Sequence, residues 1–295
     1  MWQIYAELFG LMVPLAVCLT IGYVWSHVGR FQMEFCTVLV IRISTPALVF
    51  HTLSTIALEG SDLMEIALLA WAALLLCAVM GAVCLYVFRL PVGGMLPAVT
   101  FPNTGNFGLP ISYLALGEQG FAVAVVFFAS CAVAQHTLSS LALQKRFSFI
   151  RLFTLPPLVA VILAVIGRLS PFDMPGPVLE TTRLLGALTV PLMLLVLGNA
   201  LANMPRTSLR IGSVLAALRL CLGLFAAWVI VTALDVTDEF GLVVMIQMAM
   251  PTAVISYVYA RASGAQVSDP VAGAVLISTL VSLVTIPILL WWLKS

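Results

Sequence analysis

Charge is what this sequence has least of. Only 8% of its residues are Asp, Glu, Lys or Arg, where soluble domains carry about 25%. With 62% hydrophobic residues and a mean hydropathy of +1.16, a soluble core could not absorb the apolar surface, so the chain reads as an all-α polytopic membrane protein. A formal net charge of +1 offers no basic surface for nucleic acid. CxxC pairs are missing too. The six cysteines (Cys18, Cys36, Cys77, Cys84, Cys131 and Cys221) lie in apolar segments without adjacent histidines. They read as small buried hydrophobes, and no metal or cofactor is expected. Neither an HExxH nor paired aspartates nor a nucleophile–base pair is present, which argues against an intramembrane enzyme. The lack of a GxxxxGK[ST] loop argues against ATP-driven transport by this chain alone. Acids are missing from the middle of every apolar run: Glu7 and Glu34 stand near span ends and the others in loops. A carboxylate-based proton site is therefore poorly supported.

What is present is length of apolar helix. About 20 apolar residues cross the hydrocarbon, and on that basis ten spans fall near 4–25, 33–54, 63–88, 95–116, 119–142, 149–169, 178–202, 209–234, 240–260 and 270–293. The first run lacks a basic n-region and a small-residue cleavage site, and reads as a retained helix. With the N-terminus outside, eight basic residues lie in inner loops (Arg30, Arg89, Lys145, Arg146, Arg151, Arg206, Arg210, Arg261) and three outside (Arg168, Arg183, Lys294). Glu59, Asp62, Glu65, Glu118, Asp235, Asp238 and Glu239 all fall outside. Basic residues favour the cytoplasmic side, so both termini are expected outside the cytoplasm.

The halves echo each other. Pro14 and Pro157, Pro46 and Pro191, and Pro102 and Pro251 are separated by 143, 145 and 149 residues, in the first and sixth, second and seventh, and fourth and ninth spans. Five spans is an odd number, so the second repeat (149–295) enters opposite to the first (1–142). Such an inverted repeat places a binding site where its disrupted helices meet.

The fourth span carries that disruption. In TFPNTGNFGLPIS, from Thr100 to Ser112, Pro102, Pro110, Gly105 and Gly108 together cost a continuous helix about 8 kcal/mol. Non-helical backbone at membrane depth survives only where protein or a water-filled cavity covers it. Asn103 and Asn106, with Thr104 between them, bring polar groups to the break. Their amides can donate to a carboxylate beside a half-helix N-terminus, or satisfy backbone groups freed by the prolines. The ninth span breaks at Pro251 with Thr252. There Gln247, four residues before Pro251, is expected to share its face and point toward the crossing. Gln247, Ser256 and Tyr257 suit either substrate contact or plain interhelical hydrogen bonding. Arg42 lies eight residues after Glu34, about 12 Å deep, and Arg219 nine after Arg210, about 13–14 Å deep. Either arginine could hold an anion bidentately; the alternative is an internal ion pair or a cap on backbone carbonyls. His136, after Gln135, is a candidate proton relay or a hydrogen-bonded packing residue.

With PNTGNFGLP at 102–110, MPT at 250–252 and ten spans in two halves, the chain resembles the auxin efflux carrier family. The resemblance implies the fold of the bile-acid/sodium symporters. Spans 1, 2, 6 and 7 would form a scaffold and spans 3–5 and 8–10 a transport domain with crossing, unwound helices 4 and 9. It implies a secondary carrier of elevator or rocking type in a bacterial inner membrane, moving a small mono- or dicarboxylate such as malonate or malate. The expected partners are that anion, a coupling proton or sodium ion, lipid, and a second copy through the scaffold. A short link near Lys145 to Arg151, unlike the long central loop of plant members, argues against auxin as cargo. A passive anion channel and a sodium-coupled, bile-acid-like symporter are the competing readings, since broken helices also build pores.

Overall fold

The computed structural model describes residues 2–28, 33–56, 60–142, 155–170, 174–236 and 238–294. Arg30, Glu59, the link 145–151 with Lys145, Arg146 and Arg151, and the side chain of Glu7 lie outside the described residues. Among those described, every named element is a helix. In chain order they are α1 (Trp2–Val28), α2 (Met33–Leu39), α3 (Thr45–Thr55), α4 (Gly60–Val87), α5 (Val92–Thr100) and α6 (Leu109–Ala142), then α7 (Pro156–Leu169), α8 (Gly176–Ala187), α9 (Thr189–Ala202), α10 (Leu209–Ala233), α11 (Glu239–Met248), α12 (Val254–Ala260) and α13 (Ala265–Lys294). Wide π turns join α2 to α3 (Val40–Ser44) and lead into α6 (Thr104–Gly108). Among the described residues, six helical stretches are long and apolar enough to cross a membrane: Glu34–Thr55, Gly60–Val87, Thr104–Leu138, Gly176–Ala202, Leu209–Ala233 and Ala265–Leu293. Val13–Val28, Pro156–Leu169 and Glu239–Met248 are shorter apolar helices. The helix expected from residue 149 is described only from Pro156.

One of the long stretches is interrupted. Gly117 takes φ 69° and ψ −156° inside α6, a conformation open essentially to glycine alone. The chain turns there, so the segment beginning at Thr104 ends as a half-helix and a separate helix follows. That is the loop expected between residues 116 and 119.

Helices approach closely where glycine permits. A Cβ on Gly22 of α1 would sit on the Leu195 carbonyl of α9, and one on Gly198 of α9 would sit on the Leu19 carbonyl of α1. These two helices pack backbone to backbone, and α3 packs on α7 and α8. Elsewhere α10 meets α13, where Gly212 faces Gly273, and also packs on α4. One buried cluster gathers α4, α6, α10 and α11 around Phe101, Phe127 and Met248. A second, around Phe107, Leu197 and Ile246, joins α9 to α13 and the half-helix.

Candidate functional site

Two chain breaks meet face to face. Helix α5 stops at Thr100 because Pro102 follows and biases Phe101 to extended backbone (φ −93°, ψ 119°). Helix α11 stops at Met248, three residues before Pro251. The released segments pair as a short antiparallel bridge between Pro102 and Thr252. Asn103 N–H donates to the Pro251 carbonyl at 2.7 Å, and Ala253 N–H to the Phe101 carbonyl at 3.0 Å. Each break thus satisfies amides that lipid could not. Pro251 has no N–H to return, so the Asn103 carbonyl accepts instead from Gly108 N–H at 3.0 Å and Phe107 N–H at 3.3 Å. That closes the first turn of the half-helix. The other outward groups of the bridge are also engaged: Thr252 N–H donates to Ser278 Oγ at 3.0 Å and the Thr252 hydroxyl to the Ala98 carbonyl at 3.1 Å.

Arg219 closes the far side. Wholly buried in the middle of α10, it donates through Nη1 to the carbonyls of Val99 (3.0 Å) and Thr100, and through Nη2 to the Met248 carbonyl (2.5 Å). These residues end α5 and α11. Of the two readings open from sequence, the cap on backbone carbonyls is the one observed.

On the opposite face of the crossing lies a cavity of 350 Å³. Pro102, Asn103, Thr104, Gly105 and Asn106 form one wall, Thr45 and Ile41 another, and Gln135, His136, Pro157, Met193 and Val258 complete it. It is mostly apolar, with a few convergent polar groups, as small-molecule sites are. Two of those groups have no hydrogen-bond partner: Asn103 Nδ2, on a side chain 5% exposed, and Thr45 Oγ1, 2% exposed. A buried polar atom without a partner costs about 1–3 kcal/mol, and here both belong to residues that line the same cavity. An amide N–H donor and a hydroxyl beside a half-helix N-terminus are suited to an oxygen-rich, negatively charged group.

The remaining candidates divide. Asn106 reaches the cavity, although it and Asn103 share no helical turn: Asn103 (φ −78°, ψ 64°) precedes the π turn that holds Asn106. Gly105 backs onto the Phe128 ring and Gly108 onto the Gln247 amide, so both allow close packing. Gln247 does not face the cavity. Because α11 has already ended at Met248, Gln247 and Pro251 share no helical face, and the Gln247 Nε2 donates to Ser112 Oγ at 3.0 Å. Ser256 donates to the Pro97 carbonyl at 3.2 Å and accepts from Gln135 Nε2 at 3.4 Å, an interhelical link. Tyr257 packs among apolar side chains, and Pro110 is buried away from the cavity lining. His136 lines the cavity with its Nδ1 2.5 Å from the Tyr259 hydroxyl. Arg42 is exposed on the π turn and stands outside the lining. Sequence reasoning passed over Thr45, although the STP string at 44–46 marks a second irregular point, here the π turn. It also passed over Gln135 as a wall residue.

A second cavity, of 490 Å³, lies at the far end of the same half-helix, between Tyr113, Glu118, His51, Thr52 and Arg183. The half-helix therefore runs from one hollow to the other.

Comparison with known proteins points to a membrane transporter. The model of the family described as membrane transport protein matches residues 137–290, just over half of the chain. An uncharacterized transporter of Methanocaldococcus jannaschii is 23% identical over 310 aligned positions, covering 96% of this chain and all of the relative.

Proposed function

Since the chain belongs to the membrane transport protein family, the auxin efflux carrier family, and is a multi-pass membrane transporter, we propose that its cargo is a small organic anion bound at the crossing. The observation that carries this reading is Asn103 Nδ2: a buried donor without a partner, on a residue that lines a cavity whose described lining includes no acidic side chain. Thr45, Asn106 and the half-helix N-terminus at Thr104 add donors or positive potential on the same wall. A mono- or dicarboxylate such as malonate or malate can accept from these donors, whereas a cation leaves the Asn103 Nδ2 donor unsatisfied and meets the positive end of the half-helix.

The transport cycle we infer is secondary and of elevator or rocking type, on ten spans arranged as two inverted five-helix repeats. Supporting the division into scaffold and transport domain, α1, α2–α3, α7 and α8–α9 pack largely on one another, as do α4–α6 and α10–α13. The 350 Å³ cavity lies between the two sets. The charge asymmetry of the loops supports termini outside the cytoplasm; in that orientation Val258, an exposed residue of the cavity lining, lies toward the inner side. The molecule is then inward-facing, with the second cavity as the remnant of the outward path. His136 is our candidate for a proton relay, on the strength of its place in the wall. A bacterial inner membrane and a second copy docked through the scaffold complete the proposal.

Thermal unfolding of the purified protein, titrated with mono- and dicarboxylates at two pH values with and without sodium, tests the cargo. Stabilisation by carboxylates that disappears in Asn103→Ala is the expected result. Stabilisation by organic cations alone would refute it.

A further inference from the structure

Arg219 has the largest side chain among those fully buried, and the cargo reading gives it nothing to do. A guanidinium keeps its proton in any protein environment, so a full positive charge is held away from water. Among the described residues no carboxylate forms an ion pair with it, and the salt bridge joins Arg183 to Glu180, both exposed. Arg219 is instead compensated by backbone. Val99 and Thr100 end α5, Met248 ends α11, and all three carbonyls accept from its two terminal nitrogens. Each helix C-terminus carries roughly half a negative charge, so two ends facing one guanidinium leave the site near neutral. The fork matters as well as the charge, because one planar group reaches both helices at once. Space has been cleared for it. One turn further along α10, a Cβ on Gly223 would collide with the Arg219 guanidinium and the Met248 carbonyl.

We infer that Arg219 is a resident counter-cation: a positive charge tethered to α10 that fixes both half-helix C-termini and takes the place a bound inorganic cation would otherwise fill at the crossing. Arg219 is not among the residues lining either of the two cavities described, so it acts on the cargo by positioning the crossing. Its removal leaves three carbonyls converging on an apolar void, which is a site for a small monovalent cation. Only the transport arm of the test below rests on the cargo reading; the stability arm does not.

The experiment compares wild type, Arg219→Met (similar length, no charge) and Arg219→Lys (charge without the fork). Each is measured in choline, sodium or low-millimolar guanidinium chloride, by thermal unfolding of purified protein and by carboxylate uptake into proteoliposomes. Wild type should be indifferent to which cation is present. Arg219→Met should unfold earlier in choline, take up carboxylate roughly tenfold more slowly or worse, and recover in both respects with guanidinium or sodium. Arg219→Lys should lie between, without a cation requirement. An Arg219→Met protein that fails to fold in any salt while Arg219→Lys folds also supports a charge role. Arg219→Met equal to wild type in choline overturns the inference. So do equal defects in the Met and Lys variants that no cation relieves, whether or not they fold, since side-chain shape would then be all that counts. If wild type moves no carboxylate, the cargo reading fails, and the unfolding data alone decide Arg219.

Discussion

Asn103 divides its work between backbone and side chain. The N–H ties the crossing to Pro251, the carbonyl caps the half-helix, and the side-chain Nδ2 stays without a partner. On the proposed binding mode, Asn103→Ala removes a ligand contact and leaves the fold's own bonds in place. A hydrogen bond to a charged group contributes about 1.5–3 kcal/mol, so carboxylate affinity should fall roughly 10- to 100-fold. Calorimetric titration measures this, while the unfolding midpoint without ligand should hardly move. Asn103→Asp, of the same shape, brings a negative charge into the wall and should abolish carboxylate binding altogether. Arg42→Gln should leave uptake near wild type in an initial-rate assay, because its side chain is exposed and outside the cavity lining. The polar residues of the breaks were legible in the sequence, since Pro, Gly and Asn in an apolar run contradict their surroundings. Their partners were not. Thr252 reaches Ala98, Gln247 reaches Ser112 and Ser256 reaches Pro97 across 154, 135 and 159 residues of chain. No local pattern tells which of these polar groups faces a cavity and which is tied to a neighbouring helix.

At the scale of elements, proline and glycine punctuate the chain, which is why helix ends were readable to within a few residues. Pro102 and Pro251 lie in the bridge of the crossing, and Gly117 lies at the turn after the half-helix. What the residues did not announce is how the breaks are repaired. Pairing of one extended segment with the other, and a guanidinium from α10 across both helix ends, depend on elements more than 100 residues apart in part of their contacts. Gly117→Ala tests the turn. Its conformation costs a non-glycine residue about 1–3 kcal/mol. No neighbouring atom lies within 4 Å of a Cβ added there, so strain alone should lower stability by that amount in chemical denaturation. An unchanged stability would mean that the turn relaxes to another conformation.

For the whole molecule, the composition leads to a membrane bundle, the loop charges to an expected orientation, and the geometry adds a half-helix with a hollow at either end. In a background without the six native cysteines, a cysteine at position 258, an exposed position in the lining of the 350 Å³ cavity, should react with a membrane-impermeant maleimide from the cytoplasmic side. Carboxylate should alter the rate as the two sets of helices shift. Reaction from outside only would reverse the orientation. The claim at the centre is that this cavity holds an organic anion for carriage across the membrane. Counterflow in proteoliposomes tests it most directly, with labelled malonate or malate outside and the unlabelled acid inside. Saturable uptake, stimulated by internal carboxylate, absent in Asn103→Asp and unaffected by organic cations, is the predicted result. Uptake that organic cations inhibit and carboxylates do not would contradict it.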